Sequence, residues 1–184
     1  MSRIDLHLHT THSDGSQTPA EVIRLAHEAG VSALAITDHD ITTGLPEAIA
    51  AGQELGIEII PGIEISSHHG ESELHVLGYF IKWQDAQLNA RLMTLRESRH
   101  RRNPKIIELL QSAGIDITYD EVRAVAGSDS VGRPHIARVL MDKKVVTTAK
   151  EAFDRFLAEG KAAYVPRDLP APVDAIRWIK DAGG

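Results

Sequence analysis

Six side chains in the first 75 residues have the types and the spacing to hold metal ions: His7, His9, Asp14, His39, Glu64 and His75. In Asp5-Leu6-His7-Leu8-His9 the two imidazoles fall on one face of a strand, because successive strand side chains point to opposite sides. Two imidazoles from one strand can reach one ion, and Asp14, in the loop that follows, can add a carboxylate. His39 and Glu64 stand at or near the ends of the next two predicted strands, and His75 lies in a fourth. Mixed imidazole and carboxylate donors suit Zn²⁺, Mn²⁺ or Fe²⁺. A single ion takes about four protein ligands. Six candidates therefore point to two or three ions, with Glu64 as the bridge. Ions grouped about 3.5–4 Å apart serve the hydrolysis of phosphate esters. A His-x-His pair alone is weak evidence, but joined to Asp-His, Glu and His on separate strands it is specific. The other early histidines read as bystanders: His27 on a helix surface, His12 solvated in the first loop, His68 and His69 in a glycine-containing loop.

The elements that must position these groups alternate between strand and helix. Residues 4–9 read as a strand, followed by a polar run with a turn at Asp14-Gly15. Thr18-Pro19-Ala20-Glu21 opens a helix, with Thr18 as N-cap, an apolar stripe of Val22, Leu25, Ala26 and Ala29, and Gly30 as its stop. Residues 31–37 form a buried strand that ends in Asp38-His39-Asp40. A second helix follows over 43–55, then a third strand over 57–65 broken by Pro61-Gly62, and a fourth over 73–80 that runs antiparallel or starts at the same rim. This alternation implies a parallel sheet or barrel. In such folds chemistry gathers at the C-terminal ends of the strands.

The second half differs. A helix is expected from 84 to 102, and its stripe of Leu88, Leu92 and Leu95 continues at helical spacing to Arg99 and Arg102. Two arginines thus face inward, and an arginine fork suits phosphate. The competing reading of the Glu-Ser-Arg-His-Arg-Arg-Asn-Pro-Lys run is a solvated basic face, which suits Arg101 and Lys105. Asn103-Pro104 should kink or restart the helix. Ile106, Ile107, Leu109 and Leu110 continue the apolar face, and short helices are expected over 119–126, 133–141 and 149–157. The organisation expected is 1–84 as the N-terminal part of a barrel, 85–162 as an all-helical insertion, and 163–184 as a return to the barrel. Residues 163–166 lead back to the sheet, and 173–182 form a last helix.

The whole chain has 184 residues, no cysteine, ten histidines and a net charge of −6. Absent cysteine excludes disulfides, thiolate-bound zinc and a cysteine nucleophile. The acidic balance argues against duplex DNA as a partner, though not against a local basic pocket. No stretch approaches the roughly 20 apolar residues of a membrane span, and the N-terminus has no apolar signal core, so a cytoplasmic protein is expected. Four strands do not close a barrel, which typically takes about 250 residues. The chain stops at Gly183-Gly184, where a strand would follow, and reads as a fragment.

The segments Ile-Asp-Leu-His-Leu-His-Thr-Thr-His-Ser-Asp-Gly, Ile-Thr-Asp-His-Asp, Pro-Gly-Ile-Glu-Ile-Ser and Glu-Leu-His-Val-Leu-Gly-Tyr resemble the four N-terminal motifs of the PHP (polymerase and histidinol phosphatase) family. The resemblance implies a distorted (β/α)7 barrel with a three-metal site, and within the family it favours the bacterial nucleotide phosphatases that carry a helical insertion. By motif, His7 and His9 would bind the first ion, Asp14 and His39 the second, Glu64 would bridge, and His75 would bind the third. The family's later histidine strand and its late Asp-x-His pair would follow Gly184. Arg99, Arg102, Arg133 and His135 would contact substrate phosphate. The resemblance implies removal of the 3′-phosphate from nucleoside 3′,5′-bisphosphates, with AMP as a further substrate. It needs two or three divalent ions, Mn²⁺ with Zn²⁺ or Fe²⁺ as alternatives, and gives His39 a catalytic place near the leaving oxygen. Two alternatives stand beside it: a 5′→3′ exonuclease on short RNA with the same ions, and a non-catalytic metal-bound fold. Expected partners are a nucleotide or short RNA, with no membrane.

Overall fold

The sheet is built by short apolar segments that helices return to the same edge order. The computed structural model describes residues 3–70, 72–127 and 130–184. Strands β1 (Arg3–Leu8), β2 (Val31–Ile36), β3 (Glu58–His69) and β4 (Ser72–Tyr79) lie in the order β1-β2-β3-β4. The first two pairings are parallel and the third is antiparallel. Parallel neighbours need a crossover, and helices α1 (Pro19–Glu28) and α2 (Leu45–Leu55) supply it.

Helix α1 starts as its sequence demands. The Thr18 hydroxyl accepts the Glu21 N–H while the Glu21 carboxylate accepts the Thr18 N–H. Its buried face differs from the expected stripe. Ile23 and Ala26 are buried, whereas Leu25 is 43% exposed. Ile23 and Ala26 are three residues apart and share a face, from which Leu25 is turned by about 100°. Helix α2 begins two residues later than expected, with Gly44 as its N-cap, and the Thr43 hydroxyl lies 2.7 Å from His12 Nδ1.

Strand β3 is unbroken through Pro61-Gly62. The reason lies in its change of partner. Its parallel register with β2 ends at Ile36↔Pro61, and its antiparallel register with β4 begins at Gly62↔Tyr79. A proline at that junction forfeits no ladder bond. A Cβ on Gly62 would lie 2.7 Å from the Ile36 carbonyl oxygen, so only glycine lets the strands approach there. His68 and His69 fall within this strand and not in a loop.

The chain divides into two compact units, Met1–Leu95 with Leu169–Gly184, and Arg96–Asp168. The first holds the sheet, α1, α2 and α7 (Pro172–Asp181) around Leu34, Ile36, Ile63, Ile65, Leu88 and Leu92. Each such fully buried aliphatic side chain contributes about 1.5–3 kcal/mol. The second is helical among the described residues and packs Ile106, Leu110, Ile117, Val122, Ile136 and Leu140. It contains α4 (Tyr119–Ala126), α5 (Arg133–Asp142), α6 (Ala149–Ala152) and a π-helical turn, Phe153–Leu157. Residues 163–166 form no strand.

Helix α3 (Ala86–Ser112) runs through Pro104 without the restart its sequence suggests. Its early turns bury Leu88, Leu92 and Leu95 in one core, and its late turns bury Ile106, Ile107 and Leu110 in another. Anchorage on both sides outweighs the local preference of Asn103-Pro104. No helix among the described residues is long and apolar enough to cross a membrane.

Candidate metal centre

Backbone pairing places five of the six predicted donors, all but Asp14, before any side chain acts. Thr37 N–H donates to the Leu8 carbonyl at 2.8 Å, which sets the end of β2 beside His9. Asp40 N–H donates to the Glu64 carbonyl at 3.0 Å and Glu64 N–H to the Asp38 carbonyl at 3.3 Å, a bridge that fixes His39 next to Glu64. His75 reaches the same place from β4, where it pairs with Ser66.

The loop that carries Asp14 is folded around a buried carboxylate. Asp38 accepts hydrogen bonds from Thr10 N–H at 2.7 Å, Thr10 Oγ1 at 2.7 Å and Ser13 Oγ at 2.6 Å. Asp40, also buried, accepts from Ser66 N–H and Ser66 Oγ at 2.8 and 2.9 Å. Its φ of +58° is a strained backbone that these bonds hold. Gly15 closes the loop against strand β1, where a Cβ would lie 2.4 Å from the His9 carbonyl oxygen.

The six donors converge. The Glu64 carboxylate is within 2.8 Å of His7 Nε2, 3.1 Å of His9 Nε2, 2.7 Å of His75 Nδ1 and 3.7 Å of His39 Nδ1. Asp14 lies 3.7 Å from His9 Nδ1 and 3.6 Å from His39 Nε2. Three overlapping groups result, His7-His9-Glu64, His9-Asp14-His39 and His39-Glu64-His75, each with donor atoms within 4.8 Å of one another. His9, His39 and Glu64 each belong to two of them.

The electrostatics are those of a donor set arranged for cations. Burial pushes the Glu64 carboxyl up, but hydrogen bonds from His75, His9 and His7, with the charge of His39, outweigh it and hold the group well below the usual carboxylate range. Hydrogen bonds to Glu64 and Glu73 push His75 up to about 9 against its burial. Burial works to lower His9, yet its bond to Glu64 and the nearby Asp14 raise it. The rings stand 4.6–5.1 Å apart in the pairs His7–His9, His9–His39 and His39–His75. Imidazolium rings this close repel one another. Divalent ions would instead let the rings stay neutral while Asp14 and Glu64 balance the charge, so the residues fit such ions.

The remaining predicted residues lie in the helical unit. Arg99, Arg102 and His135 are buried and Arg133 is half-buried. His135 Nδ1 accepts the Gly132 N–H at 2.9 Å. The Arg133 guanidinium lies 5.7 Å over the Phe153 ring and donates to the Leu157 carbonyl, in the π-helical turn. Asn103, buried beside Arg102, donates to the Val131 carbonyl at 2.7 Å and so ties α3 to the segment before Arg133. The bystanders stay outside all three donor groups: His27 and His69 are exposed, and His12 and His68 half-buried.

Sequence reasoning missed the supporting partners. The Asp-His-Asp tripeptide placed Asp38 and Asp40 at the site but said nothing of the loop and strand they hold. Glu73, whose Oε1 lies 3.7 Å from His75 Nε2, sits two residues away on the same face of β4, and that alternation was the signal available.

A family model for the PHP domain matches residues 5–163. The chain is 38% identical over 185 residues to the 3′,5′-nucleoside bisphosphate phosphatase of Chromobacterium violaceum, covering all of this chain and 65% of that one. It is 37% identical over 182 residues to the 5′-3′ exoribonuclease of Haemophilus influenzae, covering 99% of this chain and 66% of that one. A solved structure from Bifidobacterium adolescentis, named for a metal-dependent phosphoesterase, superposes with a TM-score of 0.92 at 32% identity, over all of this chain and 65% of that one. The chain thus spans about two thirds of the length of the curated relatives it matches. With the four motifs, the converging donors and these likenesses in agreement, the chain belongs to the PHP domain family.

Proposed function

We propose that the protein is a metal-dependent phosphoesterase that removes the 3′-phosphate of nucleoside 3′,5′-bisphosphates and also accepts AMP. The observation that carries the reading is the convergence of four imidazoles on the one carboxylate of Glu64, with Asp14 beside them. The name of the Chromobacterium violaceum relative supports the substrate. The fold we infer is a distorted (β/α)7 barrel with a helical insertion over 85–162, and four strands of the sheet lie among the described residues.

The ligand set is His7 and His9 for one ion, Asp14 and His39 for a second, His75 for a third, and Glu64 between them. Mn²⁺ is the ion we assign, with Zn²⁺ or Fe²⁺ able to use the same donors. Such ions, when bound, act as Lewis acids towards water and a phosphoryl oxygen. His39, between Asp14 and Glu64, would stand near the leaving oxygen beside the second ion. Arg99, Arg102, Arg133 and His135 bind substrate phosphate. A planar guanidinium meets two phosphate oxygens at once, which favours a ligand held at a fixed angle.

The second reading, a 5′→3′ exonuclease on short RNA, is favoured by the name of the Haemophilus influenzae relative. One experiment separates them. Phosphate release is measured from adenosine 3′,5′-bisphosphate, AMP and histidinol phosphate, and mononucleotide release from a 5′-phosphorylated RNA oligomer, before and after chelation. Fastest turnover of the bisphosphate, abolished by chelation and restored by Mn²⁺, is expected. Faster trimming of RNA would select the exonuclease, and metal uptake without any turnover would select a non-catalytic metal-holding fold.

A further inference from the structure

His12 stands two residues before Asp14, is half-buried, and belongs to none of the three donor groups. Its Nδ1 lies 2.7 Å from the Thr43 hydroxyl oxygen. A hydroxyl both donates and accepts, so this hydrogen bond stands in either tautomer of the ring. The same ring lies against Gly44. A Cβ added there would come within 3.2 Å of His12 Cδ2, 3.3 Å of His12 Cγ and 3.2 Å of Asp38 Oδ2. The Gly44 backbone is ordinary, with φ −79° and ψ −18°, so other residues could adopt it. Glycine at 44 thus leaves a notch for the imidazole and the carboxylate and serves no turn. The segment that holds the notch is fixed from behind. Thr42 is buried, and its hydroxyl donates to Asn89 Oδ1 at 2.9 Å. Asn89 Nδ2 in turn donates to the Trp83 and Asp85 carbonyls at 2.8 and 2.9 Å.

We propose that His12 is a positioning residue of the metal centre, clipping the loop that presents Asp14 to the segment that follows His39. The need for a clip lies in Asp14. Among the described residues its carboxylate has only long polar contacts: Ser13 Oγ at 3.4 Å, His39 Nε2 at 3.6 Å and His9 Nδ1 at 3.7 Å. Its place is therefore set by the loop and not by a short bond of its own. Asp38 holds that loop through Thr10 and Ser13. His12 adds a second tie at Thr43, four residues after His39. Asp14 and His39 are thus carried by two loops joined twice. Donors ordered before an ion arrives have less conformational freedom to lose on binding, and affinity gains by the difference. The bond is exposed and adds little to the stability of the whole chain, so the effect is local. His12 acts here through Asp14 and not as a ligand, and its charge plays no part. The role rests on the reading of the six donors as metal ligands.

Amide hydrogen exchange of the metal-free chain and Mn²⁺ calorimetry test the clip together. His12→Phe keeps a ring against Gly44 and loses the bond, and Thr43→Val removes the same bond from the other side. His12→Asn gives up the ring but sets an amide where Nδ1 stands. The Ser13 and Gly15 N–H groups, both bonded to the Thr10 carbonyl, report on the loop, and the amides of β2 report on the fold. In His12→Phe and in Thr43→Val, exchange at Ser13 and Gly15 should quicken about fivefold, the equivalent of one net hydrogen bond, with β2 unchanged. Mn²⁺ affinity should fall by a similar factor of about 5–10, near the lower limit for partners that act through a ligand. The double variant should lose no more than either single one, because both remove one bond. His12→Asn should stay close to the parent chain in both readouts, which a residue needed only for packing would not allow. Unchanged loop exchange or unchanged affinity in His12→Phe would overturn the positioning role. Additive losses in the double variant would overturn the bond as its cause. Quickened exchange throughout β2 would assign His12 to the fold at large instead. Should His12→Phe fail to fold, Thr43→Val, at an exposed position, decides by the same two readouts. A parent chain that takes up no Mn²⁺ would overturn the metal reading itself, and the positioning role with it, whatever the loop amides show.

Discussion

Asp38 accepts both the backbone N–H and the hydroxyl of Thr10, each at 2.7 Å, and thereby joins the end of β2 to the loop that follows β1. Asp38 is buried and absent from the three donor groups, so its role is to hold the loop that presents Asp14. Asp38→Asn replaces one acceptor oxygen by a donor facing the Thr10 and Ser13 donors. A buried group left unsatisfied costs about 1–3 kcal/mol. Urea unfolding of the metal-free variant should show that loss. Mn²⁺ affinity, measured by calorimetry, should fall about 10–100-fold, as for other supporting partners of metal ligands. Unchanged affinity would separate the loop from the metal centre.

Glu64 is the point on which four histidines meet, and Glu64→Gln tests it with little change in volume. The amide keeps the shape and removes the charge that balances the imidazoles. Metal content by mass spectrometry should drop by at least one ion for each protein. Affinity for what remains should fall by at least about 100-fold, the upper end for losing a supporting partner alone. Retention of the full metal content would remove Glu64 from its bridging place.

Helix α3 predicts a gain of stability. Pro104 lies inside the helix, where a proline lacks one backbone bond and crowds the carbonyl four residues earlier. Pro104→Ala should raise stability by about 1–3 kcal/mol, near the intrinsic difference between the two residues in a helix interior. Denaturant unfolding measures it. A loss instead would show that the helix is bent at Pro104 in a way its packing requires.

The site was legible in the sequence because its donors obey periodicity. His7 and His9 share a face by strand alternation, and His39 follows the end of β2 beside Glu64, which lies inside β3 just past its parallel stretch. What was hidden depends on pairing between distant segments. Nothing in Pro61-Gly62 says that β3 exchanges a parallel partner for an antiparallel one there, so a break was expected where the strand continues. Nothing local says that α3 is anchored in two cores, so a restart was expected at Pro104. Arg101 and Lys105 have the composition of a solvated helix face, and only the extended segment with Arg167, more than 60 residues on, turns that face into the wall of a cleft.

The inward stripe of α3 provides a test of specificity. Arg102 is buried on the same side of the helix as Leu88, Leu92 and Leu95, and its neighbour Asn103 is fixed by the Val131 carbonyl. Arg102→Lys keeps the positive charge and removes the planar fork. If Arg102 grips a phosphate by two parallel bonds, the change is not conservative. The ratio of kcat/KM for adenosine 3′,5′-bisphosphate to that for AMP should fall about tenfold, the equivalent of one charge-assisted hydrogen bond of about 1.4 kcal/mol. Bound metal, measured on the same samples, distinguishes a lost phosphate contact from a disturbed centre. A fall in both substrates in step with lost metal would place Arg102 in the support of the fold, and an unchanged ratio with full metal would remove it from phosphate recognition.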